Sequence, residues 1–260
     1  MLIDSHCHLH DKEFFTEDQA EKCLKQAKER KVEKIVCIGT SYEDSLDACQ
    51  FASKHKDVYW TYGMHPEHAS NRQNIDDCAE DFRTILQTPD ISQPIAIGEV
   101  GLDYHYDGYD RQAQIRLFEQ MLQIATDYNL PLSFHIREAF NDFFPVIENF
   151  PDVRGVVHSF SDNKKVLRRI LENTEFYIGV NGMATYCTLP TPPLSRILLE
   201  TDAPFLTPVP YRGIINEPRY VYDIAEWLSN KLELDFATVE KETTKNAEGL
   251  FRLSDTRCCS

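Results

Sequence analysis

Residues 1–10 read MLIDSHCHLH, an apolar start that runs into three histidines at alternate positions, His6, His8 and His10. Side chains two apart on a β-strand share a face, so this is the pattern of a buried strand whose C-terminal end turns polar. His6 and His8 can therefore offer their imidazoles to one cation at that end. The competing reading is a pair held by nearby carboxylates such as Asp4 or Asp11.

Further along the chain, short apolar runs recur at Lys34–Thr40, Val58–Met64, Pro94–Leu102, Leu130–Ile136, Val153–Phe160, Glu175–Val180 and Ile197–Thr201, making eight candidate strands with Leu2–His6. Several lack polar alternation, as expected of strands buried on both faces. Amphipathic runs fill most gaps: Glu17–Arg30, Tyr42–Lys54, Ile75–Gln87, Arg111–Tyr128, Phe140–Asn149, Lys164–Leu171, Pro218–Lys231 and Ala237–Phe251. Thr16 with Gln19, and Ser41 with Asp44, have capping-box spacing at two of the helix starts. Gly39 stands alone after the second strand, so the glycine fingerprint of an open dinucleotide-binding sheet is missing. The pattern predicts an α/β fold, a TIM-type (β/α)8 barrel. Residues 181–194, NGMATYCTLPTPPL, are too proline-rich for a normal crossover helix between strands seven and eight. One barrel is expected over 1–254, followed by a short tail at 255–260.

The chain has 260 residues, 42% hydrophobic and 27% charged, which excludes a mainly disordered chain. Its 27 Lys and Arg against 42 Asp and Glu leave a net charge of -15. Diffuse attraction to a phosphate backbone or an anionic membrane is thus not expected; a nucleic acid would be met in a short cleft by metal ions and a few basic side chains. The eight cysteines, at 7, 23, 37, 49, 78, 187, 258 and 259, contain no CxxC pair and suit reduced thiols. Cys7, Cys37 and Cys49 read as core. With no signal-like start and no long apolar run, a cytoplasmic protein without membrane contact is expected, acting as a monomer.

Polar groups collect at the strand ends. In IGEVGLDYHY, 97–106, Glu99 and Asp103 lie around the end of the fourth strand, and a glutamate inside an apolar strand needs a proton, counterion or metal to offset its burial. His135 lies in LSFHIRE, His158 in VVHSF and Asp202 in LLETDAPF. Each histidine alone could be a satisfied core residue. Together, His6, His8, Glu99, His135, His158 and Asp202 fall at the end where barrel active sites gather, which points to a metal centre. Six ligands suit two divalent ions sharing one carboxylate: His6, His8, Glu99 and Asp202 for one, Glu99, His135 and His158 for the other. The nitrogen and oxygen donors permit zinc or manganese and tolerate magnesium, and the lack of cysteine argues against a thiolate site.

In this order, DSHCHLH at 4–10, GMHPE at 63–67, GEVGLDYHY at 98–106, FHIRE at 134–138, VVHSF at 156–160, TDAPFL at 201–206, PYRG at 210–213 and NEP at 216–218 resemble the TatD family of metal-dependent deoxyribonucleases, barrels of the amidohydrolase-like superfamily. The resemblance assigns metal roles to His6, His8, Glu99, His135, His158 and Asp202. It implies hydrolysis of DNA phosphodiesters as a 3′–5′ exonuclease on single-stranded or frayed DNA, sometimes RNA. Two divalent ions, Mg2+ for activity with Mn2+ or Zn2+ as alternatives, and no organic cofactor go with it. His65, Asp103, Arg137 and Arg212 are implied substrate contacts, with Glu138 and His68 as weaker candidates. Without the resemblance, His65 could be loop structure, Asp103 and Arg137 a rim ion pair, and Arg212 solvated.

The ligand set suggests Asp202 as the group that aligns the attacking water and accepts its proton, with the ions neutralising the attacking and leaving oxygens. The family usually carries a lysine shortly after its seventh-strand motif, where this chain has Cys187, which puts substrate grip in doubt more than metal binding. Two other functions share these residues. One is an amide or ester hydrolase of the same superfamily, such as an aminoacyl-tRNA deacylase; the other is a metal-stabilised interaction protein without catalysis.

Overall fold

Every residue of the first strand, β1 (Leu2–Cys7), is buried, Asp4, Ser5 and His6 included. The computed structural model describes residues 1–70, 72–89 and 91–253. In it, β1 is followed by β2 (Val32–Cys37), β3 (Val58–Trp60), β4 (Ile97–Asp103), β5 (Leu132–Arg137), β6 (Gly155–Val157), β7 (Tyr177–Val180) and β8 (Ile197–Leu199). The helices are α1 (Glu17–Glu29), α2 (Tyr42–Ser53), α3 (Arg72–Gln87), α4 (Arg111–Asp127), α5 (Phe140–Ile147), α6 (Lys164–Asn173), α7 (Val221–Leu232) and α8 (Phe236–Phe251).

All paired strands are parallel, in sheets ordered β1-β2-β3 and β4-β5-β6-β7-β8. Parallel bridges from Tyr62 to Ile97 and from Cys7 to Ala203 connect the two sheets at both edges, giving a barrel-like α/β arrangement. Alternation along the strands separates two apolar layers. Leu132, Phe134, Ile178 and Ile197 pack into the larger core with Phe118, Phe143 and Phe176, whereas Ile3, Val36, Val156 and Leu198 join Ala247, Leu250 and Phe251 of α8.

Helix α8 ties the ends of the chain together: Thr244 Oγ1 donates to Met1 O at 2.6 Å, and Asn246 Nδ2 donates to Ile197 O at 2.9 Å and Leu194 O at 3.0 Å. Among the described residues, no helix is long and apolar enough to cross a membrane. Cys7, Cys23, Cys37, Cys49 and Cys78 are buried and unpaired, and Cys187 is exposed. The tail expected at 255–260, with Cys258 and Cys259, lies outside the described residues.

Several expected boundaries shift. The runs Val58–Met64 and Val153–Phe160 form strands of three residues each, because the backbone leaves the ladder as it turns towards the site. The amides just past those ends still pair: Thr61 N donates to Cys37 O at 3.1 Å and His158 N to Phe134 O at 3.0 Å. Thr16 and Gln19 form both halves of a capping box. Ser41 forms only one half, since Asp44 sends its carboxylate to Thr40 and His10 instead. Pro218–Tyr220 is a separate single turn before α7. Between β7 and β8 lie two single turns, Gly182–Thr185 and Leu194–Arg196, and Leu189, Pro190 and Pro192 line one crevice with Trp227 and Leu228 of α7.

Two irregularities in the ladders matter for the site. Three steps along β1 from Asp4 to Cys7 match two along β2, and three along β4 from Ile97 to Val100 match two along β5. A bulge of this kind adds a residue and re-aims a side chain; His6 lies in the first and Glu99 in the second. The second is packed against Gly63, where a Cβ would stand 2.0 Å from Gly39 O and 2.3 Å from Glu99 N. Replacing Gly63 with Ala should cost about 1–3 kcal/mol by overpacking. Thermal melting should show a clear drop in midpoint, and an unaltered midpoint would contradict this account of the bulge.

Candidate metal centre

The bulge in β4 brings the Glu99 carboxylate, only 5% exposed, between two groups of imidazoles. Oε2 lies 3.4 Å from His6 Nε2 and 3.7 Å from His8 Nε2. Oε1 lies 2.6 Å from His135 Nδ1 and 2.9 Å from His158 Nε2. Asp202 Oδ1 completes the first group, 3.6 Å from His6 Nε2 and 3.7 Å from His8 Nε2. His6, His8 and Asp202 form one set of donors close enough for a single ion, and Glu99, His135 and His158 form another.

The outer atoms of these rings are held from behind. His8 Nδ1 donates to Ile38 O at 3.0 Å, which fixes the tautomer and leaves Nε2 with a lone pair for a metal. His6 Nδ1 pairs with Ser133 Oγ at 3.2 Å, while its Nε2 is buried without a hydrogen-bond partner. A buried ring nitrogen left unsatisfied and aimed between two carboxylates fits a divalent cation. Asp4 and Asp11 do not hold the imidazoles: Asp4 accepts from Thr201 N at 2.9 Å, Thr201 Oγ1 at 2.6 Å and the His6 backbone N–H at 3.3 Å, and Asp11 accepts from Glu13 N at 2.8 Å.

The electrostatics follow from burial set against these neighbours. Burial opposes ionisation of Glu99, but the charge of His158, hydrogen bonds from His135 and His158 and the nearby His6 ring hold its carboxyl well below the usual range. Burial likewise works against the ionised Asp202, yet the imidazoles of His8, His6 and His158 beside it lower it. His6 falls to about 4, mainly through burial and the neighbouring His158. His135 rises to about 10 because Asp103 and Glu99 outweigh its burial.

The family model for TatD-related DNases matches residues 3–252. The chain belongs to this family. As a TatD-family member it is a metal-dependent hydrolase. It is similar to the uncharacterized metal-dependent hydrolase YabD of Bacillus subtilis strain 168, with 34% identity covering 98% of this chain and 100% of that one. The 3′-5′ ssDNA/RNA exonuclease TatD of Pantoea ananatis is 32% identical, covering 90% of this chain and 93% of its own. The crystal structure of YJJV, a TatD homologue from Escherichia coli K12, shares the fold at a TM-score of 0.84 and 24% identity, covering 96% of this chain and 98% of that one.

Around the TatD-family ligand set, the other candidates fall at different depths. His65 lies close in, its Nε2 3.9 Å from Glu99 Oε1, and burial with the neighbouring His135 lowers it to about 3. Asp103 Oδ2 stands 3.0 Å from His135 Nε2 and 4.0 Å from Arg137 Nη1, so it joins the centre to the rim. Arg137 lies over the Tyr106 ring at 5.2 Å, and Arg212 over the Tyr186 ring at 3.9 Å. Glu138 pairs with His105 at 2.7 Å, and His68 lies 3.6 Å from Glu67, both away from the ligands.

Two acids, the buried Glu200 and the half-buried Asp44, were passed over in the sequence. Glu200 accepts from Ser159 N at 2.6 Å and lies 3.8 Å from His158 Nδ1, and burial pushes it up to about 7. The rule that singled out Glu99, a carboxylate inside an apolar strand, applies equally to Glu200 in LLETD. Asp44, 3.1 Å from His10 Nε2, carried no such signal because it reads as an ordinary helix-start acid. Metal loading should stabilise the folded chain, by about 2.7 kcal/mol at a hundred times the dissociation constant. Thermal shifts of chelated protein with added Mn2+ should show this and lose most of it in Glu99→Gln; an equal shift in that variant would remove Glu99 from the ligand set.

Proposed function

We propose that this chain is a 3′–5′ exonuclease that hydrolyses phosphodiester bonds of single-stranded or frayed DNA, and of RNA as a secondary substrate. The observation that carries the reading is the single buried Glu99 carboxylate, facing two imidazole groups through its two oxygens. The relative from Pantoea ananatis, named a 3′-5′ ssDNA/RNA exonuclease, supports the choice of substrate. We further propose one (β/α)8 barrel over 1–254, acting as a cytoplasmic monomer.

Two divalent ions, Mg2+ for activity with Mn2+ or Zn2+ also suited to these donors, would be held by His6, His8, Glu99 and Asp202 and by Glu99, His135 and His158, and would neutralise phosphoryl charge and acidify water. Asp202 orients the attacking water and takes its proton. His65 and Asp103 border the ligands and position the phosphodiester, and the guanidinium groups of Arg137 and Arg212 hold its non-bridging oxygens by charge-assisted hydrogen bonds.

A time course on 5′-labelled single-stranded DNA with Mg2+ should give a descending ladder that chelation abolishes. Intact DNA in metal-loaded preparations, together with turnover of an amide or ester, would move the protein to the other hydrolase class. Asp202→Asn should lower kcat by about 10²–10⁴-fold with the fold intact by circular dichroism. Full activity in that variant would exclude Asp202 as the base.

A further inference from the structure

The mouth of the centre carries exposed aromatic rings on well-anchored backbone. Phe205 is 50% exposed although it lies three residues beyond Asp202, in a turn closed by its own N–H donating to Asp202 O at 2.8 Å. Asn216, fully buried, anchors that turn by donating from Nδ2 to Phe205 O at 2.6 Å and Thr201 O at 2.8 Å. Phe14, 36% exposed, meets the Phe205 ring edge to face at 5.4 Å, while the adjacent Phe15 is buried in the core at 5%. Exposed phenylalanine on a rigid turn leaves apolar surface in water, a state relieved when a flat apolar partner covers it.

The charged groups nearby narrow the partner. Arg212 makes no ion pair with a carboxylate among the described residues: it lies on Tyr186 and donates from Nη1 to Thr207 O at 3.1 Å. The loop after β8 thus presents an uncommitted cation and an aromatic face beside a metal-ligating aspartate. Phosphate and planar base alternate along a nucleic acid strand, and single-strand binders meet them with basic groups and stacking rings.

We infer that Phe205, braced by Phe14, stacks on a nucleobase adjoining the scissile phosphodiester, so that this enzyme grips single strands through a base as well as through phosphate. The inference rests on the nuclease reading above. It is tested with two 3′-terminal oligonucleotides, one natural and one abasic at its last nucleotides, on wild type, Phe205→Ala and Phe205→Trp. For wild type, KM should be lower on the natural strand; Phe205→Ala should raise that KM roughly 5- to 150-fold and bring the two substrates together. Phe205→Trp should retain the preference. A 3′-terminal 2-aminopurine should be quenched by wild type in stopped flow before cleavage, and not by Phe205→Ala.

Equal loss on both strands in Phe205→Ala would overturn the inference in favour of a purely structural turn. A wild-type dimer that Phe205→Ala dissociates in sedimentation would overturn it in favour of a second copy of the chain on this face. A wild type that cleaves no nucleic acid would bring down the nuclease reading itself, and this inference with it.

Discussion

Removing a carboxylate from water costs several kcal/mol unless positive charge or hydrogen-bond donors replace the solvent. Glu99 meets that condition with imidazoles on both sides, contributed by β1 and the residue just past it, by β5 and by the segment just past β6. No single strand could do this; strands distant in sequence must end at the same height around one axis. The barrel-like closure supplies the height, and the two bulges supply the aim. The close packing at Gly63 and the carbonyl behind His8 then hold the result in place.

What could be read from the sequence and what could not divide along physical lines. Strand positions were readable because a buried parallel strand needs an unbroken apolar run, and the polar residues that converge at the strand ends were readable because each violates that need. The bulges were not readable, since period-two alternation assumes a regular strand and the extra residue shows only in the pairing. The full capping box at Thr16 was visible in local spacing, but the half box at Ser41 was not, because Asp44 is drawn to His10, which arrives from another strand. Glu200 could have been found by the argument used for Glu99. Counting polar strand ends pointed to Glu99 as the central carboxylate, whereas the exposed rings at Phe14 and Phe205 gave no signal beyond ordinary hydrophobicity.

The charge distribution suits the proposed nuclease, which would bind a polyanion without coating itself in one. A net charge of -15 repels phosphate over most of the surface. At the mouth, Arg137 and Arg212 lie over tyrosine rings, which orient a guanidinium without neutralising it. Attraction for an anion is thereby restricted to the neighbourhood of the candidate metal centre, where screening by salt is weakest.

Helix α8 fastens the end of the chain to its beginning, through Thr244 to Met1 and Asn246 to the start of β8. β1 precedes the other strands, yet its edge away from β2 finds its partner only when residue 203 has emerged. Contacts of such wide sequence separation make closure slow, and an open parallel edge invites association with other chains meanwhile. The histidine-bearing strand is thus the part of this molecule most dependent on protection during its own synthesis.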